Sequence, residues 1–293
     1  MQKIILFYLF TPLKDPEAVK LWQRTLCESL NLRGRIIIAH QGINGTLGGD
    51  IKDLKAYRRQ TKQYPGFKDI VFKWSDGQRE NFPRLSVKLR PELVAFNAAD
   101  RIEVNSNGVV GGGTRLKPEQ LHELMRQHNG EVVFVDGRNK WEASIGRFKN
   151  ALVMDVDHSR DFPKAIADPK YDSIKDKPIV TYCTGGIRCE VLSKLMKDDG
   201  FKDVYQLDGG IVKYLEAYGD AGLWEGSLFV FDERMSLNSS DHTKIIGTCI
   251  HCQSKTSNYV NCANKACNKL ILVCERCDDE KFYCLDCQPA RIT

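Results

Sequence analysis

Eight cysteines in four pairs crowd residues 249–287: Cys249-x2-Cys252, Cys262-x4-Cys267, Cys274-x2-Cys277 and Cys284-x2-Cys287. About forty residues with few large apolar side chains cannot build a core of their own, so something other than burial has to hold them together. A Cys-x2-Cys turn presents two thiolates to one tetrahedral metal, and four such pairs supply two four-cysteine sites suited to two structural zinc ions. Metal would then supply folding energy directly. Either the first pair joins the third and the second the fourth, or neighbouring pairs join in sequence. His251 and Asn258 are read as neighbours of the metal or as incidental. The rival use of the thiols, four disulfides, belongs to secreted chains. The apolar opening "IILFYLF" (4–10) is only seven residues long and lacks a basic flank and a small-residue cleavage site. It falls far short of the ~20 residues that cross a bilayer. It reads as a buried strand, and the chain as cytoplasmic with no membrane partner.

A chain of 293 residues has room for two or three domains. Its charge is unevenly spread. Residues 1–118 hold 20 basic against 11 acidic side chains, a balance of +9, whereas 119–222 carry −3 and 223–293 carry −1. Excess positive charge confined to one domain suits a polyanionic partner, or else marks a solvated surface. Within that region, alternation and helical spacing predict strands at 3–10, 35–39 and 70–75, helices at 15–31 and 50–64, and a short strand around "GINGTLGG" (42–49) with an Asn-Gly turn. Asp50 is the expected N-cap of the second helix. The order β-α-β-β-α-β is the ferredoxin-like pattern, giving an α+β domain over 1–96. "RLSVKLRPELVAF" (84–96) adds a basic strand-like extension, and the Gly- and Asn-rich 97–118 reads as a linker.

From 119 the periods change. Strands at 131–136, 178–183 and 203–210 alternate with helices at 119–128, 188–198 and 211–218, which predicts a parallel α/β domain over 119–222. A second linker (223–246) leads to the Cys-rich module at 247–293. Ligands of such sheets sit beyond the carboxyl ends of the strands, where "YCTGGIRCE" places Cys183. The reactive form of cysteine is the thiolate. Converging backbone N–H groups at a helix N-terminus and the fixed charge of Arg188 favour that form. Gly185 and Gly186 are expected to let the loop curl with positive φ. Thr184 and Ile187 complete the loop. Cys189, one turn into the helix, is either a resolving thiol or a small apolar contact; Cys27 reads as core.

These residues resemble the rhodanese (sulfurtransferase) superfamily. "YCTGGIRCE" looks like its active-site loop, "VDGRNKWEASIGRFKNAL" (135–152) like its Asp-x-Arg…Glu…Gly-x-hydrophobic segment, and "VYQLDGGIVKYLE" (204–216) like its Leu-x-Gly-Gly closing motif. Arg147 stands where that superfamily usually has histidine. Four residues separate Cys183 from Arg188, against five in the phosphate-cupping relatives, so the loop is similar to sulfur-handling members. The whole-chain order of an acylphosphatase-like domain with "GINGT", a rhodanese domain with "CTGGIRCE" and a Cys-rich tail resembles the rhodanese-type tRNA uridine hydroxylases. Gln41 stands here where a glutamate often precedes the "GING" of that family. The resemblance implies an enzyme that forms 5-hydroxyuridine at the tRNA wobble position with molecular oxygen, using Cys183. The zinc tail would then dock tRNA or serve structure.

The residues themselves offer no nucleotide-binding glycine motif and no iron-binding triad, so oxygen enters only through the resemblance. A persulfide or sulfenic acid on Cys183 fits an oxidisable thiolate. Two other readings stand beside hydroxylation: a rhodanese-type sulfurtransferase carrying a cysteine persulfide, and a non-enzymatic zinc-containing adaptor. For a tRNA partner the candidate phosphate contacts are Arg58, Arg59 and Lys62 on the second helix, and Arg84, Lys88 and Arg90, which share one side of a strand. Oligomeric state leaves no trace in the sequence.

Overall fold

The computed structural model describes residues 1–277 and 282–287. The N-terminal sheet contains β1 (Gln2–Phe10), β2 (Arg33–Ala39), β3 (Gly42–Asp50), β4 (Val71–Ser75) and β5 (Leu85–Leu89) in the order β4-β1-β3-β2-β5. All pairings are antiparallel except that of β5 with β2. Helices α1 (Pro16–Ser29) and α2 (Ile51–Gln63) cover one face. Ile5, Phe7, Ile36, Ile38, Ile43 and Leu47 point into the core beneath them with Leu54 and Tyr57. This is the expected ferredoxin-like arrangement.

One expectation about it fails. Asn44–Gly45 is not a turn but the middle of the nine-residue strand β3; the hairpin turns at His40 and Gln41 instead. Gly45 is needed because the Phe7 ring lies 2.5 Å from where its Cβ would stand. Asp50 does sit at the N-cap of α2, yet its side chain makes no capping hydrogen bond.

The second sheet is all parallel. Its strands are β6 (Thr114–Leu116), β7 (Val133–Asp136), β8 (Leu152–Val153), β9 (Ile179–Tyr182) and β10 (Val204–Leu207), ordered β8-β7-β9-β10-β6. Helices α3 (Pro118–Gln127), α4 (Lys140–Ala143), α5 (Phe162–Ile166), α6 (Ile187–Asp198) and α7 (Gly210–Tyr218) complete this rhodanese domain. The segments expected to be linkers are built into the fold. Residues 97–118 form a hairpin of Val104–Asn105 with Gly108–Val109 and then supply edge strand β6. Residues 223–246 send Trp224–Gly226 to pair with Gly146–Phe148. In the 84–96 stretch only Leu85–Leu89 is a strand; Leu93 and Phe96 beyond it are buried.

One buried cluster crosses the domain boundary. Phe10, Ala39, Leu93 and Phe96 pack with Val135, Phe162, Val191 and Leu195 of the rhodanese domain. The unbroken apolar run of β1 follows from this, since a strand covered on both faces cannot alternate apolar with polar. The tail contributes two short paired strands, Tyr259–Asn261 and Leu270–Leu272. Tyr259 and Leu272 pack with Ile145 and Phe229, so the Cys-rich module is seated on the rhodanese domain. No helix among the described residues is long and apolar enough to cross a membrane.

Candidate active site

Strand β9 ends at Tyr182, and Cys183 opens the loop into α6. Its sulfur accepts a hydrogen bond from Gly186 N at 3.1 Å. Burial opposes a charge on this sulfur. The Cys189 thiol that donates to it, the Arg188 guanidinium and the backbone N–H groups of Arg188 and Cys189 overcome burial and bring the Cys183 thiol down to about 5. Cys189 moves the other way: burial and the hydrogen bond it gives to Cys183 push it up, so it stays a thiol beside a thiolate.

The two loop glycines serve different ends. Gly186 has φ +98°, as expected, whereas Gly185 does not have a positive φ. At Gly185 a Cβ would come within 2.7 Å of the end of the Leu6 side chain from the N-terminal domain, which a larger residue would have to push aside. The closing motif is explained by contact as well. Gly210, with φ +68°, would place a Cβ 2.4 Å from the Cys183 carbonyl, and Ile211 N donates to that carbonyl at 2.9 Å.

Arg188 is not a free cation at the mouth of the loop. It is buried and forms a bidentate pair with Glu142 of α4, at 2.6 and 2.8 Å. Glu142 also accepts from Asn139 N. Behind it, Arg138 pairs with Asp136 at 2.6 and 2.9 Å and donates to the Gly146 carbonyl, while Tyr182 donates to Asp136. The Asp-x-Arg…Glu segment is therefore a buried frame that fixes Arg188, which in turn fixes the loop. Arg147 donates to the Ala143 carbonyl and stays outside this frame.

The N-terminal domain closes the site. Cys183 lies 1% exposed at the wall of a cavity of about 420 Å³ whose opposite wall includes Leu6, Tyr8, Arg35, Asn44, Gly45 and Thr46. Of "GINGT", Asn44, Gly45 and Thr46 line this cavity across the domain boundary, while Ile43 points into the helix-covered core. Tyr8 donates to Glu190 of α6 at 3.2 Å, and Glu190 is held by Arg115 and Gln206. Lys73 of β4 donates to the Gly185 carbonyl in the loop itself. Burial pulls the Lys73 amine down to about 8, against the opposing charge of Cys183. Neither Lys73 nor Tyr8 was singled out by sequence reasoning, whereas Glu142 is the glutamate of the Asp-x-Arg…Glu segment. The fully apolar β1 was the one available signal, since it implied a second covered face.

The basic candidates divide. Arg84, Lys88 and Arg90 line a groove of about 660 Å³ that shares Arg35, Ile37, Phe82 and Phe231 with the cysteine cavity. Arg58, Arg59 and Lys62 lie on α2, on the opposite face of the sheet, and are not brought near Cys183. Cys27 is core, as expected: burial pushes its thiol up to about 12.

In the tail, Cys249, Cys252, Cys274 and Cys277 converge in one group and Cys262, Cys267, Cys284 and Cys287 in another, each with its sulfurs within 4.8 Å. First joins third and second joins fourth. The Cys252–Cys274 and Cys267–Cys284 sulfurs are 3.4 and 3.7 Å apart. A tetrahedral ion with metal–sulfur bonds of about 2.3 Å needs sulfurs about 3.8 Å apart, so both sets fit such a metal. His251 packs on Phe282 and lies outside both sulfur groups, and Asn258 donates to the Val273 carbonyl.

Comparison with known proteins agrees with this geometry. Three family models match in succession: a UPF0176 acylphosphatase-like domain over residues 2–93, a rhodanese-like domain over 117–217 and a rhodanese C-terminal region over 225–290. A tRNA uridine(34) hydroxylase from Corynebacterium kroppenstedtii is 55% identical over 294 residues, covering 100% of this chain and 99% of its own length. The chain belongs to the tRNA uridine(34) hydroxylase family. The member from Corynebacterium glutamicum (strain ATCC 13032) is 59% identical over 94% of this chain and 88% of its own. That from Arthrobacter sp. (strain FB24) is 57% identical over 94% of each. Membership extends across all three parts of the chain. The N-terminal wall of the cysteine cavity therefore belongs to the family match along with the rhodanese loop.

Proposed function

We propose that this protein hydroxylates the wobble uridine of tRNA to 5-hydroxyuridine, with molecular oxygen as co-substrate and Cys183 as the reacting group. The observation that carries the reading is the stabilised thiolate of Cys183 in a cavity walled by both domains and continuous with a basic groove. A soft sulfur anion in such a place can add to an electron-poor pyrimidine carbon or carry an oxidised sulfur. A wobble base lies in a single-stranded loop, so it reaches a pocket with little unpairing cost. Arg84, Lys88 and Arg90 supply charge for the phosphates of that loop. A plain sulfurtransferase would need only the middle domain, and the contacts of Lys73 and Tyr8 with the loop and with α6 would then have no purpose.

The two four-cysteine sets hold zinc, which folds the tail and carries no chemistry of the reaction. The protein works in the cytoplasm, where its tRNA is. The test is nucleoside mass spectrometry on tRNA from cells whose only such enzyme is the Cys183→Ser variant. Loss of 5-hydroxyuridine is expected. Persistence at the wild-type level would overturn the assignment.

A further inference from the structure

Among the described residues, Phe231 alone lines both the cysteine cavity and the basic groove and also a third cavity, of about 350 Å³, which contains Trp74 and Thr184. The residue is 54% exposed, while Phe229 two residues earlier is buried. A singly exposed apolar residue is ordinary on a surface; what sets this ring apart is its place where three cavities meet.

The ring is not loose. Its edge contacts with Trp141 and Phe229 have centroids 6.2 and 5.1 Å apart, and the Arg188 guanidinium sits 5.7 Å from its centre. The loop that bears it is tied to the N-terminal domain, where Glu233 N donates to the Asn81 carbonyl and Arg234 to the Asp76 carbonyl. The chain thus holds an exposed aromatic ring at the point where the basic groove meets the cavity of Cys183. Proteins that take up single-stranded nucleic acid use this combination, with cations tracking phosphates and an aromatic face receiving a base.

We infer that Phe231 is a base-stacking site, on which an unpaired nucleobase of the substrate RNA rests as the target uridine enters the cavity. The inference rests on the proposed action on tRNA. An uncharged ring adds affinity without releasing counterions, which separates its contribution from that of the lysines and arginines.

The experiment measures binding of an anticodon stem-loop RNA, with uridine at the first anticodon position, across a salt series. Full-length wild type, Phe231→Ala and Phe231→Trp are compared. The alanine variant should bind about 5- to 150-fold more weakly, the range of one lost stack, with an unchanged salt slope. The tryptophan variant should bind like wild type, and the RNA should quench its added emission. The circular dichroism spectrum and unfolding temperature should be close to wild type in both variants, which shows the fold intact. If wild type binds the RNA and the alanine variant binds equally well, the stacking site is overturned while the tRNA reading survives. If wild type itself does not bind, both fall. A changed oligomeric state in the alanine variant with RNA binding intact would assign the ring to contact between copies and also overturn the proposal.

Discussion

Cys189 is the residue through which Cys183 can be tuned without altering the sulfur that reacts. It gives a hydrogen bond to the thiolate and is itself pushed up by burial and by that gift. A hydrogen bond to a charged group is worth about 1.5–3 kcal/mol, so losing it raises the Cys183 thiol by roughly one to two pH units. The Cys189→Ala variant should therefore alkylate at Cys183 about 2- to 15-fold more slowly than wild type at pH 6, and equally fast at pH 9. Iodoacetamide labelling read by peptide mass spectrometry measures this. Equal rates at pH 6 would remove Cys189 from the tuning of the site. The sign of the linked stability effect follows. The folded thiol titrates below the unfolded one, so its stabilisation is complete above the unfolded value of about 8.5 and fades as pH falls towards 5. Cys183 and Arg188 were legible because thiol, glycines and cation stand together in nine residues. Glu142 was legible as the glutamate of the Asp-x-Arg…Glu segment, but its pairing with Arg188 was not, since a pair forty-six residues apart leaves no local pattern.

Strand β4 and strand β5 bring charge to the site from opposite edges of the N-terminal sheet. Lys73 reaches the Gly185 carbonyl and shares its field with Cys183. Lys73→Met should weaken both, raising the pH at which Cys183 becomes reactive, whereas Lys73→Arg should restore a cation and much of the wild-type profile. An unchanged alkylation profile in the methionine variant would confine Lys73 to packing. On β5, Lys88 and Arg90 stand on the groove side, paired in register with Ile37 and following Leu89 out of the sheet. The double variant Lys88→Glu with Arg90→Glu should weaken tRNA binding and lower its salt slope by about one unit per lost phosphate contact. Cys183 reactivity towards a small alkylating agent should not change. Survival of both affinity and slope would move the tRNA path elsewhere. The sharing of one side by Arg84, Lys88 and Arg90 follows from alternation alone. Lys73 has no such signature among 43 basic residues, and the Asn-Gly pair misled because that dipeptide usually turns while here the close Phe7 ring calls for the glycine.

At the scale of the whole chain, the cysteine loop and the Cys-rich tail, which look separable in sequence, meet at one short helix. Glu142 of α4 holds Arg188, and the backbone of α4 is held in turn by the tail. Tyr259 donates to the Trp141 carbonyl and meets Ser144 Oγ at 2.8 Å. Tyr259 belongs to a strand flanked by ligand cysteines of both sulfur groups, and Leu272 of its partner strand lies two residues before Cys274. Metal in the tail would thus hold the tyrosine that braces the helix that positions the loop arginine. Removing it should loosen more than the tail. A strong chelator with a thiol reductant should release two metal ions per chain, lower the unfolding temperature and slow Cys183 alkylation at pH 6, with reactivity returning when zinc is restored. The Tyr259→Phe variant, which keeps the ring contact with Phe229 but loses the hydroxyl, should show a milder slowing with its metal still bound. If two ions leave and Cys183 reacts as before, the tail folds on its own account and the brace through α4 carries no weight. If no metal is released because none was held, the sulfur clusters have another purpose and the pairing of first with third and second with fourth must be explained by packing alone.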